Sequence, residues 1–220
     1  MLPWAESRAN KIMDERSKDN NMEKRSINFE LRAKPESRTI FGTATVLNSA
    51  YDMGWYDEEM SPESLKDADM NDVVALFNHD QNMVLARTSS GTLKLNVTGN
   101  SMEYEFEAPN TTLGNDLLEM VKRGDVYQSS FAFTVEAEDW QERMGSKPKR
   151  VIRSIKKVYD VSPVTYPANP DTMVAKRSYD ATKEIDKDLQ TIIDISLKSE
   201  INIQNELRRN ALHLLNLKTK

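Results

Sequence analysis

Between residues 27 and 177, apolar positions mostly alternate with polar ones, and this predicts a β-rich domain. In INFELRAK (27–34), Ile27, Phe29 and Leu31 alternate with polar residues, the pattern of a half-buried strand. RTIFGTATVL (38–47) has a β-branched bias, and Gly42 within it predicts a bulge or a close backbone approach. DVVALFNHD (72–80) reads as a short buried strand ending near Asn78. TLKLNV and MEYEFEA alternate on either side of a TGNS turn at 98–101. A further strand is predicted over 126–135, and KRVIRSIKKVYDVSPV reads as two short strands ending at Pro163.

Helical spacing takes over in two places. In NTTLGNDLLEMVKRG, Leu113, Leu117 and Val121 are four residues apart. Thr111 or Thr112 can cap the start, Lys122 and Arg123 suit the negative end, and Gly124 suits a left-handed stop. Beyond Pro170 there is no further Pro or Gly, and Ile185, Leu189, Ile193 and Leu197 begin a stripe that continues toward Leu215. Residues 182–216 therefore read as one or two amphipathic helices, whose apolar face packs on the core or on another copy. The expected organisation is a charged arm at 1–26, helical or disordered, a domain at 27–177 and a helical tail at 178–220. The fold class is mainly β with flanking helices (α+β), as a barrel or sandwich.

Composition narrows the chemistry. Of 220 residues, 38% are hydrophobic and 30% charged, which suits one packed domain plus solvated extensions. A net charge of −5 argues against a direct grip on nucleic acid, which needs clustered Lys and Arg. No apolar run approaches the roughly 18 residues of a membrane span, and residues 1–20 lack the apolar stretch of a signal peptide. The absence of Cys removes disulfides, thiolate metal sites and thiol nucleophiles. With two histidines and no HExxH, no metal or other cofactor is expected.

Any hydrolytic mechanism must then rest on a hydroxyl and one of His79 and His213. His213 lies in the tail stripe between Leu212 and Leu214, where packing or exposure is the simpler role. His79 sits where an apolar strand meets polar residues, a junction able to present a side chain to a cleft. Alone it would more often be a structural histidine. In a strand over 126–135, Ser129 shares a face with Tyr127, Phe131 and Phe133, whereas Ser130 shares the opposite face with Gln128 and Ala132. An ordinary polar pair on a strand is the simple interpretation, and no GxSxG elbow is present. Asp160 lies inside a β-run, where a half-buried carboxylate needs an imidazole or a cation as partner.

Taken in order, NHD at 78–80, RG-x4-SSFAF at 123–133 and VYDVSPVTYPANPDT at 158–172 resemble the tailed-phage prohead (head maturation) protease family. That family is distantly similar in fold to the herpesvirus assembly proteases. FGTATVLN at 41–48, EMSP at 59–62, VLAR at 84–87 and GTLKL at 91–95 extend the resemblance over 27–177. It implies an antiparallel β-barrel of the herpesvirus assembly protease type, with helical N- and C-terminal extensions. It also implies a serine endopeptidase in which Ser130 is the nucleophile, His79 the base and Asp160 the acidic partner. Arg87 and Arg153 are the arginines to inspect for oxyanion support.

The implied substrates are the major capsid protein and scaffold segments, cleaved inside the assembling procapsid in the host cytoplasm. Self-cleavage is expected within 1–26 or beyond Arg177. Homodimerisation stays open, and neither nucleic acid nor membrane is an expected partner. The alternative is a catalytically inactive scaffold or capsid-assembly protein that keeps the protease fold. A β-rich adaptor or nucleic-acid module would need a basic groove, and residues 143–153 offer only one short basic cluster.

Overall fold

The alternating segments build two sheets in the computed structural model, which describes residues 22–27, 31–166 and 172–218. The four-stranded sheet runs β2 (Leu31–Ala33), β3 (Thr39–Val46), β9 (Ser101–Glu107), β8 (Leu93–Val97), all antiparallel. The seven-stranded sheet runs β1 (Glu23–Ile27), β10 (Gln128–Gln141), β11 (Lys149–Val164), β5 (Asp57–Met60), β4 (Ala50–Asp52). To the far end of β11 it adds β6 (Val74–Phe77), which pairs with β7 (Asp80–Arg87).

The inner faces pack against each other. Ile40, Met102 and Phe106 of the smaller sheet share one apolar core with Phe131, Phe133 and Ile155 of the larger. Gly42 is needed for a close approach: it lies opposite Tyr104, and a Cβ there would stand 2.8 Å from that ring.

Helix α1 (Thr112–Arg123) closes the core with Leu117, Leu118 and Val121. Of the two candidate caps it uses Thr111, whose hydroxyl accepts from Gly114 N at 3.1 Å. Gly124 ends it with φ 81°, its N–H directed to the carbonyls of Met120 and Val121.

The expected antiparallel barrel does not form. Among the described residues no ladder joins the two sheets, and the strand orders do not close on themselves. Two pairings are also parallel: β5 and β6 lie on the two ends of β11, at Lys149–Ile152 and Asp160–Val161. Each reaches β11 only through a long crossover, as parallel pairing requires. A long β11 can hold both because it is one strand of 16 residues, not two short ones. Between Ala132 and Glu138, β10 shifts register repeatedly against β11.

INFELRAK likewise divides. Ile27 ends β1 in one sheet and Leu31 opens β2 in the other, while Phe29 lies outside the described residues. Strand β1 begins at Glu23, inside the segment expected to be an arm. The remainder of that arm, residues 1–21, lies outside the described residues, as do 167–171 of the VYDVSPVTYPANPDT motif.

The chain divides into two compact units at Val174/Ala175. The second is built on α2 (Thr172–Lys218), a single helix that starts ten residues before the expected tail helix. Ile185, Leu189, Ile193 and Leu197 are exposed on it, and the side chain of His213 lies outside the described residues. Among the described residues no helix is long and apolar enough to cross a membrane.

Candidate active site

The central pair β10–β11 carries a hydroxyl and a carboxylate on one face. Ser130 lies opposite Ser162, and Ala132 opposite Asp160, so all four side chains project to the same side. Their neighbours Ser129, Phe131 and Phe133 take the other face. Ser129 is buried there, with its Oγ 2.8 Å from the Tyr104 hydroxyl. Burial pushes the Tyr104 phenol up; the bond to Ser129 opposes this and the charge of Asp160 reinforces it, so the phenol keeps its proton.

Histidine 79 arrives from the third strand. The β6 ladder meets β11 at Val74–Asp160 and Ala75–Val161, and the hairpin then turns over two residues, since Phe77 pairs with Asp80. Those two residues, Asn78 and His79, have φ of 56° and 57°. Both positive values are what a type I′ turn requires. Asn and His are both among the non-glycine residues that enter this region more readily than others.

The three groups meet in a line. His79 Nδ1 is 2.6 Å from Asp160 Oδ1, and Nε2 is 2.7 Å from Ser130 Oγ. The Asp side chain is thus long enough to reach the ring. With Nδ1–H donating its hydrogen bond to the carboxylate, the Nε2 lone pair faces the Ser130 hydroxyl. Asp160 Oδ1 also accepts from Ser162 Oγ at 2.7 Å, so its carboxylate is held from two sides. Ser130 is fully buried, while the side chains of His79 and Asp160 are 6% and 8% exposed. Two residues in this arrangement were not singled out from sequence. Ser162 had a usable signal, since it stands two residues from Asp160 on the same strand face. Arg25 had none.

Arg25 contributes its backbone. Its carbonyl accepts from Ser130 Oγ at 2.9 Å. One hydroxyl proton therefore faces two acceptors, and the carbonyl holds it whenever Nε2 itself carries a proton. The Arg25 side chain fixes β1 in place. It is buried with Glu23 and Glu58, and Arg150 joins the same carboxylates at 2.7–2.9 Å and reaches Glu138 at 2.7 Å. Burial pushes the Glu23 and Glu58 carboxyls up, but bonds and charges from Arg150 and Arg25 outweigh it, and both end below the ordinary range.

Neither arginine proposed for oxyanion support joins this line. The Arg87 guanidinium lies at 2.6 Å from both oxygens of Asp72, at the surface. Arg153 Nε donates to Asp139 at 2.6 Å, also at the surface. Arg153 stands nine residues before Ser162 on β11, about 30 Å along the strand. Among the described residues, no group of three or more His, Cys, Asp or Glu is arranged to hold a metal ion.

A buried hydroxyl, an imidazole and a carboxylate so connected form an arrangement suited to nucleophilic attack on an acyl carbon. In comparison with known proteins, the family model for the caudovirus prohead serine protease matches residues 24–185. No curated protein and no solved structure matches the chain.

Proposed function

The chain belongs to the caudovirus prohead serine protease family, and we propose that it cleaves peptide bonds with Ser130 as nucleophile, His79 as base and Asp160 as its partner. The observation that carries this is the hydrogen-bonded chain from Ser130 Oγ through both nitrogens of His79 to Asp160 Oδ1. Ser130 Oγ attacks the scissile carbonyl as its proton passes to Nε2. The imidazolium, stabilised by Asp160, returns that proton to the leaving amine, and water then releases the acyl group by the reverse sequence. Asp160 keeps its charge throughout and selects the tautomer that leaves Nε2 free. Arg87 and Arg153 are occupied by Asp72 and Asp139, so this reading gives the developing oxyanion to neither.

The family membership makes capsid maturation inside the phage procapsid the setting. The substrates in this reading are segments of the major capsid protein and of the scaffold, with self-cleavage within 1–26 or beyond Arg177. An inactive scaffold protein would have no need of a connected hydroxyl, imidazole and carboxylate.

The test is co-expression with the matching capsid protein, wild type against Ser130→Ala. Processing should fall by on the order of 10⁶-fold in rate while the protein still folds and unfolds cooperatively. Capsid processing by Ser130→Ala at the wild-type rate would refute the assignment. Intact mass after assembly tests the arms: a chain that stays at full length has not cut itself.

A further inference from the structure

The turn that carries His79 has little regular structure to hold it. The β6–β11 ladder is two pairs long and ends at Ala75. The β6–β7 ladder shifts register twice, between Ala75 and Leu76 and between Leu76 and Phe77. On the far side of the turn, residues 81–84 are exposed. A hairpin tip of this kind would swing by more than the ~0.5 Å and 10–20° that a catalytic geometry tolerates unless point contacts fixed it.

Those contacts converge on one residue. Asn78 N donates to the Pro163 carbonyl at 3.0 Å. Its side-chain Oδ1 accepts from Thr165 N at 2.8 Å, and Nδ2 donates to Thr165 Oγ1 at 3.2 Å. Pro163 lies opposite Ser129, so the segment gripped is the end of β11 beside the nucleophile. The amide grips β11 on one side of the turn, and the adjacent His79 spans Ser130 and Asp160 on the other.

Resting on the catalytic reading above, we propose that Asn78 is a positioning residue: its amide clips the β6–β7 turn to the end of β11 and so fixes His79 between Ser130 and Asp160. Asn suits this place twice, since it accepts the left-handed backbone and carries both a donor and an acceptor.

The test separates the clip from the turn. Asn78→Gly keeps the positive φ at no steric cost but removes the amide. Asn78→Asp keeps Oδ1 for Thr165 N–H, and its second oxygen accepts from the Thr165 hydroxyl. Each full-length protein is followed in three ways: thermal unfolding, fluorophosphonate labelling of Ser130, and the strongly deshielded proton of an imidazole Nδ1 bonded to a carboxylate. The Gly variant should unfold near the wild-type temperature, lose the deshielded proton and label roughly 10–100-fold more slowly. The Asp variant should retain the proton and most of the labelling rate. A deshielded proton and labelling rate unchanged in Asn78→Gly overturn the clip, and so does equal loss in both variants. A wild type that shows the proton but neither labels nor processes capsid protein refutes the proteolytic reading and leaves the clip standing on the proton alone.

Discussion

Replacing Arg150 by Met should destabilise the domain in a way that reverses its pH response. The Arg150 side chain is 1% exposed and binds Glu23 and Glu58, themselves 2% and 1% exposed, with Glu138 at the rim, 12% exposed. Three carboxylates therefore share two guanidiniums, those of Arg150 and Arg25. After the substitution Glu138 can turn to water, but Glu23 and Glu58 are left with Arg25 alone. Stranding one charge of a buried network costs about 3–5 kcal/mol at neutral pH. For a domain of this size that lowers Tm by roughly 6–20 °C.

In the wild type both carboxyls lie below their ordinary range, so their contribution is present above the unfolded carboxylate range and lost as pH falls through the folded values. In the variant burial prevails and at least one carboxyl rises above its unfolded value. Its penalty is then absent below the unfolded value and grows as pH rises through the folded one. Relative to the wild type, the variant should accordingly gain stability on going from about pH 7 to about pH 5. Urea denaturation at the two pH values, followed by tryptophan fluorescence, measures this. Trp140 lies 5.9 Å below the Arg150 guanidinium, so its native signal must be recorded separately for each protein. A loss under about 1 kcal/mol, or no gain on acidification, would refute the reasoning.

Two further substitutions probe the site and the core. Ser162→Ala removes the hydroxyl held at 2.7 Å from Asp160 Oδ1; fluorophosphonate labelling of Ser130 should slow about tenfold or more, from ~1.5–3 kcal/mol of lost bonding to a charged group. An unchanged labelling rate would show that His79 alone orients the carboxylate. Gly42→Ala drives a Cβ to 2.8 Å from the Tyr104 ring, which Ser129 pins at 2.8 Å, and overpacking should cost about 1–3 kcal/mol in denaturant unfolding. Trimming the ring in the same background, with Tyr104→Leu, should recover part of that loss, whereas strictly additive losses would count against the contact.

Where apolar alternation sets a segment's faces, sequence and structure agree. Residues around β3, β8 and β9 read as strands because one face of each packs on the core and the other meets water. The caps of α1 were legible, Gly124 uniquely and Thr111 as one of two adjacent threonines, because capping depends on residues within one turn. Strands β1 and β5 were not, because charge hides them. EKRSI turns Glu23 and Arg25 inward, and DEEM turns Glu58 inward. A carboxylate becomes an inward-facing residue only when a guanidinium from another strand meets it, and no local pattern carries that information.

The same division runs through the site. Residue scarcity and strand parity pointed to His79 and to Ser130 over Ser129, because each is a property of composition or of one segment's period of two. Whether those side chains meet is another matter. His79 stands 51 residues from Ser130 and 81 from Asp160 along the chain. They converge through the register that sets Ser130 opposite Ser162 and Ala132 opposite Asp160, and through a left-handed turn gripped by the end of β11. The same long-range pairing sent β5 and β6 parallel to β11 and left the sheets open where a closed antiparallel barrel was expected. Period and capping are decided between near neighbours, so they can be read along the chain. Register, sheet closure and the meeting of distant charges are decided between segments that touch only once the whole domain has folded.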